Sequence, residues 1–396
     1  MTNLNKDHIV FVTNIPTPYR NHLFIRLEKL FLEYSIEFEV MYMARTENNR
    51  FWQYGSGGLG YKYKFYNGLH LYIRRMPIHF NFRMVIDILY KKPKFLVLGG
   101  SWNSPTVIAV IILSPIFLRN SRILLWSEIN DSSFQIQGGF IGFLRSKILG
   151  SVNEYIVPGV VAKETIKRLV ENGKDKCFHM LPNLVDESIY NRTYQKFVIS
   201  DIDNFFVDKV DKKERIFICV ARLDESTKGL LRFLESVKDI LLSHNIKLLI
   251  AGEGPDRLRI EKWLNNNEIN NVFLLGNQSQ ENVAKLLALS DVFVLPSIRD
   301  KNPLSVIEAL WSGLPLLVSE RIGNLPEVLG KNGWSFDPVN RQDVRDKFIL
   351  ALSASDMSIR EMGRNSQEIA LTRYSTECTT ANFVNELIGE DYANRY

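Results

Sequence analysis

The sequence predicts an α/β protein made of two doubly wound parallel-sheet domains that face each other across a cleft. Three observations carry this. Short, nearly continuous Val/Ile/Leu/Phe runs recur along the chain, as expected of strands buried on both faces. Helix-length segments separate them, the rhythm of strand–crossover–strand units. A polar stretch, Asp186 to Lys213, divides the runs into two equal groups.

The first group is HIVFVTN (8–14), FEVMYMA (38–44), KFLVLGG (94–100), RILLWSE (122–128) and EYIVPG (154–159). The second is RIFICVAR (215–222), KLLIAGEG (247–254), NVFLLGN (271–277), DVFVLPS (291–297) and LPLLVSE (314–320). The expected division is 1–187 for an N-terminal domain, 188–212 for a linker and 213–375 for a C-terminal domain. A last helix, 376–396, is expected to pack back near the first domain. In sheets of this kind ligands sit beyond the carboxyl ends of the strands, so chemistry is sought in the loops that follow them.

At 396 residues, 45% apolar and 11% aromatic, the chain can bury a core in each domain and is not of disordered composition. The net charge of +5 excludes no partner, but its distribution is uneven. Between Tyr61 and Lys94, Lys62, Lys64, Arg74, Arg75, Arg83, Lys91, Lys92 and Lys94 face one acid, Asp87. Aromatic residues are interleaved, so the stretch reads as a solvated basic face or as a patch for an anionic surface. Cys177, Cys219 and Cys378 are odd in number and far apart, which suits a reducing compartment. The N-terminus lacks the order of a signal peptide. Phe95 to Leu118 is uncharged, but its GGSWNSP centre is loop chemistry, so strand, turn and buried helix are expected there rather than a membrane span. FIGFLRSKILGSV (140–152) reads as an amphipathic helix, facing the core or a membrane interface.

Two patterns are set aside. GSGGLG (55–60) matches a dinucleotide fingerprint, but polar residues precede it and strand-like YKYKFY follows. Asp201-Ile202-Asp203 resembles a metal-holding D-x-D, yet falls in the linker. Six scattered histidines without paired spacing suggest no metal site.

Three loops of the second half carry chemistry. In FICVARLDESTKG, Arg222 and Lys228 lie between a strand end and helix 230–242. Two cations beside a helix N-terminus suit a diphosphate. In AGEGP (251–255), Gly252 and Gly254 permit a tight turn or a close ligand. In SIRDKNPLSVIEALWSG (297–313), Asn302 suits an N-cap, Pro303 the first helical position and Gly313 the C-terminal cap. The helix start over Lys301–Leu304 then offers free N–H groups to an anion. Glu308, among Val306, Ile307 and Leu310, is an acid on a buried helix and requires a partner. A ribose diol would satisfy both its oxygens.

Together these motifs resemble retaining glycosyltransferases of family 4, which have the GT-B fold of two Rossmann-like domains. ARLDESTKG, AGEGP, FLLGNQSQENVAKLLALSDVFVLPS, DKNPLSVIEALWSGLPLLVS and GNLPEV follow in family order. VTNIPTPYRNHLF, YIVPG and LPNLVD of the first half are similar to members that build bacterial surface polysaccharides. The resemblance implies that Glu308 binds the nucleotide ribose and that Asp300 touches the transferred sugar. Asp300 stands where the family usually has glutamate. It implies that Arg222 and Lys228 hold the donor diphosphate, and that Lys301, Asn302, Pro303, Leu304, Gly252, Gly254 and Asn277 line the donor. WSEIND (126–131) occupies the place of a loop that often carries histidine; Glu128 there is an acceptor-side acid or base, or a structural salt bridge. Thr17, Tyr19 and Arg20, in PTPYR, are expected on the acceptor or phosphate side, a plain surface role for Arg20 being the alternative.

The implied reaction is transfer of a sugar from a nucleotide-diphosphate sugar, expected to be a UDP-sugar, with retention and without a metal or other cofactor. The implied acceptor is a saccharide or polyprenyl-linked saccharide in surface polysaccharide or lipopolysaccharide biosynthesis. The expected location is cytoplasmic, peripheral on the inner membrane face through 61–94, with no nucleic-acid partner. Two alternatives stay open: a nucleotide-sugar epimerase or hydrolase, and a catalytically silent sugar-nucleotide-binding scaffold.

Overall fold

The computed structural model describes residues 7–47, 58–73, 76–100, 102–130, 139–170, 176–190 and 214–389. The Asp201–Asp203 pattern, Asp131, Arg74, Arg75, most of the expected linker and part of the GSGGLG segment lie outside them. The chain divides into two compact units, Met1–Leu184 with Thr376–Tyr396, and Val185–Ser375.

The first unit holds strands β1 (His8–Thr13), β2 (Glu37–Tyr42), β3 (Tyr63–Phe65), β4 (Leu69–Ile73), β5 (Met76–Phe80), β6 (Phe95–Leu98), β7 (Arg122–Trp126), β8 (Glu154–Val157) and β9 (Cys177–Met180). Seven form a parallel sheet in the order β3-β2-β1-β6-β7-β8-β9, while β4 and β5 form a separate antiparallel hairpin. Its helices are α1 (Pro18–Glu33), α2 (Phe82–Lys91), α3 (Pro105–Phe117), α4 (Gly139–Gly150) and α5 (Val160–Leu169). On one face of the sheet, Val10, Val12, Leu96 and Leu98 pack with Val85, Ile88, Val107 and Val110 of α2 and α3. Phe11 meets Phe24, Phe38 and Trp126 edge-on or tilted, with ring centroids 5.4–6.1 Å apart.

The second unit repeats the plan. Strands β10 (Arg215–Val220), β11 (Ile246–Ala251), β12 (Val272–Gly276), β13 (Val292–Leu295), β14 (Leu316–Ser319) and β15 (Gly333–Phe336) are all parallel, in the order β12-β11-β10-β13-β14-β15. Helices α6 (Glu225–Lys228), α7 (Leu230–Ser243), α8 (Arg257–Asn266), α9 (Gln280–Leu289), α10 (Leu304–Trp311), α11 (Leu325–Val328), α12 (Arg341–Ser353) and α13 (Asp356–Arg373) cover it. In both sheets the direction of strand addition reverses beside the first strand. The switch points are β1/β6 and β10/β13, where a doubly wound sheet opens a crevice at its carboxyl edge. Helix α14 (Thr376–Ile388) belongs to the first unit. Thr376 reaches His22, and Glu377 reaches Arg26, both on α1.

Three expectations change. Helix α3 buries Val107, Val110 and Ile111 but exposes Ile112, Ile116 and Phe117. Helix α4 buries Ile148 and Leu149 near its end and exposes Phe140, Ile141, Phe143 and Leu144 near its start, so neither helix is wholly core-facing. Of the six described basic residues of the 61–94 stretch, four are paired, three of them with acids outside it. Lys62 pairs with Glu37 at 3.2 Å, Lys64 with Asp87 at 2.6 Å and Lys94 with Asp7 at 2.9 Å, and Lys91 pairs with Glu39. No helix among the described residues is long and apolar enough to cross a membrane.

Candidate active site

Four loops at the carboxyl edge of the second sheet hold the candidate donor-side residues. After β10 the chain runs Ala221–Asp224 and turns into the short helix α6, which the sequence reading did not foresee. Asp224 caps it by accepting from Ser226 N at 3.1 Å, and Gly229 closes it in the left-handed region with φ 61. Glu225 then accepts from the amides of Leu231 and Arg232 at 2.7 and 3.1 Å. The N-terminus of α7, expected as an anion site beside Arg222 and Lys228, is thus occupied by the protein's own carboxylate.

The α10 start is different. Leu304 is its first helical residue and Pro303 takes the cap, one position later than expected. Proline has no side-chain acceptor, so no cap bond closes this helix start among the described residues. Buried polar atoms without a partner gather in the same segments: Ser297 Oγ, Asn302 Oδ1 and Asn324 Oδ1, with Asn324 Nδ2 3.5 Å from Pro303 O. The uncapped N–H groups suit an anion and the orphaned amide oxygens suit hydroxyl donors, a combination that a ligand carrying both would satisfy.

Lys228 and Asp300 are brought together: Lys228 Nζ donates to Asp300 Oδ2, with both side chains largely buried. The loop carrying Asp300 is fixed by Ile298 N and Arg299 N on Thr227 O, at 2.9 and 3.0 Å, and by Gly323 N on Asp300 O at 2.9 Å. Two residues expected to contact different parts of a donor are here each other's counter-ion. Arg222 and Lys301 are exposed and form no ion pair with a described residue, and Asn277 is exposed beyond β12.

Gly252 and Gly254 have a packing role. A Cβ at Gly252 would lie 1.9 Å from Ala221 O, and one at Gly254 2.2 Å from Leu223 O. Their absence lets the loops after β10 and β11 zip together through Leu223 N on Glu253 O at 3.0 Å and Asp256 N on Leu223 O at 3.0 Å.

Glu308 is partly buried, and burial raises its carboxyl pKa; the hydroxyl of Tyr190, 2.8 Å from Oε1, acts in the opposite direction. Among the described residues no lysine or arginine neutralises it. Tyr190 is fully buried. It lies 118 positions away and was missed by the sequence reading, since nothing in ESIYNRT marks it. Because Glu308's folded pKa lies above its unfolded value, the stability this group contributes is fully present below the unfolded pKa and is lost as pH rises through the folded one. Tyr190→Phe removes the one hydroxyl donor and should push that pKa further up. The expected result is a stability loss of roughly 1–3 kcal/mol near neutral pH that shrinks towards pH ~4. Thermal melts across pH would show it, and a uniform loss at all pH values would count against it.

In the first unit, Arg20 is held in place, not free at the surface. It donates to Thr13 Oγ1, lies 4.7 Å over the Trp126 ring and 5.8 Å from the Tyr19 ring, and sits 3.6 Å from Glu128 Oε1. Burial opposes its charge, but Tyr19 and Glu128 outweigh burial and its pKa is raised. Glu128 forms the salt bridge that was one of its two expected roles. Thr17 is the backbone N-cap of α1, and its buried Oγ1 lacks a hydrogen-bond partner among the described residues.

Against the expectation of no metal cluster, one set of ligand-type atoms does converge. Glu154, Cys177 and His179 come within 4.8 Å of one another. Glu154 and Cys177 open β8 and β9, with His179 two residues further on, and Arg122 already grips Glu154 at 2.9 and 2.6 Å, driving that carboxyl down to about 2 despite burial. Arg122 also donates to Leu387 O at 2.6 Å, and His179 Nδ1 lies 3.4 Å from Glu386, so the cluster ties α14 to the sheet.

This architecture has known counterparts. A crystal structure of Anabaena Alr3699/HepE in complex with UDP and glucose matches with a TM-score of 0.71 at 13% identity, covering 96% of this chain and 99% of that one. The fold is therefore of the GT-B class. Residues 200–368 match the family Glycosyl transferases group 1, and the chain carries a domain of that family. N-acetyl-alpha-D-glucosaminyl L-malate synthase of Bacillus anthracis is 28% identical over 235 residues, 57% of this chain and 60% of that protein. UDP-Gal:alpha-D-GlcNAc-diphosphoundecaprenol alpha-1,3-galactosyltransferase of Escherichia coli is 30% identical over 194 residues, 45% of this chain and 46% of that protein. The alignments thus span about three fifths or less of these relatives.

Proposed function

We propose that this protein is a metal-independent, retaining glycosyltransferase that moves a sugar from a nucleotide-diphosphate sugar to a saccharide or lipid-linked saccharide of the cell surface. The observation that carries the proposal is Glu308: a partly buried carboxylate, held at one oxygen by Tyr190, with no cation on it among the described residues, on a helix whose uncapped start adjoins Asp300 and Lys228. Such a group is costly unless it serves a ligand. A ribose hydroxyl donating to Oε2 would satisfy it. Arg222, Lys228 and the N–H groups at the α10 start would hold the diphosphate, supplying by preorganised charge what a metal supplies elsewhere. Asp300 would meet sugar hydroxyls once Lys228 turns to phosphate. Arg20, Tyr19, Thr17 and Glu128 would serve the acceptor or phosphate side. A donor phosphate oxygen would take the acceptor's proton during same-face attack. UDP is the expected nucleotide, in keeping with the ligand of the HepE structure and the name of the Escherichia coli relative.

The deciding experiment is a thermal-shift screen of uridine, guanosine and adenosine diphosphates, followed by their sugars with and without saccharide acceptors. The expected result is stabilisation by uridine diphosphate and nucleotide release that depends on acceptor and survives EDTA. Release or conversion without acceptor would establish the epimerase or hydrolase reading, and binding without turnover the scaffold.

For a lipid-linked acceptor the protein would meet the membrane through the 61–94 region. Helix α2 supports this by exposing Phe82, Ile86 and Tyr90 at helical spacing, beside Arg83 and Lys92, which form no ion pair with a described residue. Since the other described basic residues of that stretch are paired, attachment should depend more on apolar contact than on charge. Flotation with anionic vesicles should retain the protein at high salt, and Phe82→Ser/Tyr90→Ser should release it. No binding at low salt would remove this element.

A further inference from the structure

The hairpin of β4 and β5 places His70 directly opposite His79. Their imidazoles meet Nδ1 to Nδ1 at 2.8 Å, with ring planes 74° apart. His79 is buried, and its Nε2 lies 3.2 Å from Oε1 of Glu47, which is also buried. The same oxygen accepts from Asn14 Nδ2 at 3.3 Å. Asn14 follows β1, the strand beside the switch point, so the chain of groups begins at the carboxyl edge of the first sheet. Its position is fixed, because Thr106 Oγ1 donates to His79 O at 3.0 Å and Asn81 Nδ2 to Met43 O at 2.8 Å.

The direction of these bonds follows from the acid. An ionised Glu47 can only accept, so His79 carries its proton on Nε2. Neutral His79 is then bare at Nδ1, and His70 must donate from its own Nδ1. Neutral His70 is left with a bare Nε2 on an exposed side chain. A carboxylate behind an imidazole fixes its tautomer, and a second imidazole bonded to the first inherits that choice.

We propose that Glu47, His79 and His70 form a relay that presents the His70 Nε2 lone pair to a hydroxyl of the saccharide acceptor, making His70 an acceptor-binding residue. The identity of the ligand rests on the transferase reading above; the relay itself does not. Burial first, and then His79, lowers the His70 pKa, so the lone pair stays available through neutral pH.

Two measurements test this. Long-range nitrogen NMR on histidine-labelled protein should find His70 protonated at Nδ1 and bare at Nε2; the opposite tautomer would overturn the relay. Carbethoxylation of His70 by diethyl pyrocarbonate, read by peptide mapping, tests both the lone pair and its ligand. Glu47→Gln and His79→Phe should each slow it by about threefold or more, the scale of coupling between contacting residues. Millimolar p-nitrophenyl hexosides, unlike glycerol, should protect His70 in at least one sugar configuration. If uridine diphosphate binds while no hexoside protects His70 and the variants react at the parent rate, the proposal is wrong. If the tautomer and variant rates are as stated but no nucleotide binds, the transferase reading fails instead and the relay stands.

Discussion

Glu308→Gln is expected to make the unliganded protein more stable and the donor site useless. Glutamine keeps the oxygen that accepts from Tyr190 and fills the same volume, but carries no charge to desolvate. At neutral pH the variant should gain roughly 1–3 kcal/mol, the cost usually attached to a poorly satisfied buried polar group. That is about 2–4 °C of melting temperature per kcal/mol for a unit of this size. The gain should vanish towards pH ~4, because wild-type Glu308 is protonated there and the two side chains become nearly equivalent. Binding moves the other way. A ribose hydroxyl on a carboxylate is a charge-assisted bond worth roughly 1.5–3 kcal/mol, so affinity for the nucleotide should fall about 10- to 100-fold. Calorimetric titration of both proteins with uridine diphosphate, alongside melts across pH, reads both effects. Unchanged affinity in a folded Glu308→Gln protein would remove Glu308 from the nucleotide site.

The opposition of those two effects also explains what could be read in advance. The ten long apolar runs all became strands, because burial on both faces of a parallel sheet leaves no choice but continuous apolar sequence. Strands β9 and β15, CFHM and GWSF, escaped notice because each is four residues long at the sheet edge and needs few apolar side chains. Glu308 was legible for the converse reason: an acid in an apolar helix conflicts with its local pattern, and such conflicts mark function.

Partners that depend on tertiary register were not legible. Tyr190 reaches Glu308 across 118 positions, and Lys228 reaches Asp300 across 72. His70 and His79 were dismissed as scattered, although nine residues apart is directly opposite once β4 and β5 form a hairpin. The capping role of Glu225 likewise needed the unforeseen turn α6. Without it, the α7 start looked open to an anion.

The pairing of Lys228 with Asp300 makes the effects of removing either one unequal. In the unliganded protein each neutralises the other inside a largely buried site. Lys228→Ala removes a cation from the proposed diphosphate site and also leaves Asp300 as an uncompensated carboxylate facing an incoming dianion. Turnover should fall by about 10²- to 10³-fold, the scale of losing one preorganised charge contact to a developing anion, and affinity for uridine diphosphate should fall with it. Asp300→Ala instead frees Lys228. Affinity for the nucleotide alone should hold or rise, while turnover of the nucleotide sugar falls because its sugar hydroxyls lose their acceptor. The double variant should then bind uridine diphosphate better than Lys228→Ala does, with a coupling energy of roughly 0.5–3 kcal/mol. Additive losses across that cycle would mean the two residues never act on one ligand. Full turnover in a folded Lys228→Ala protein would place the diphosphate elsewhere.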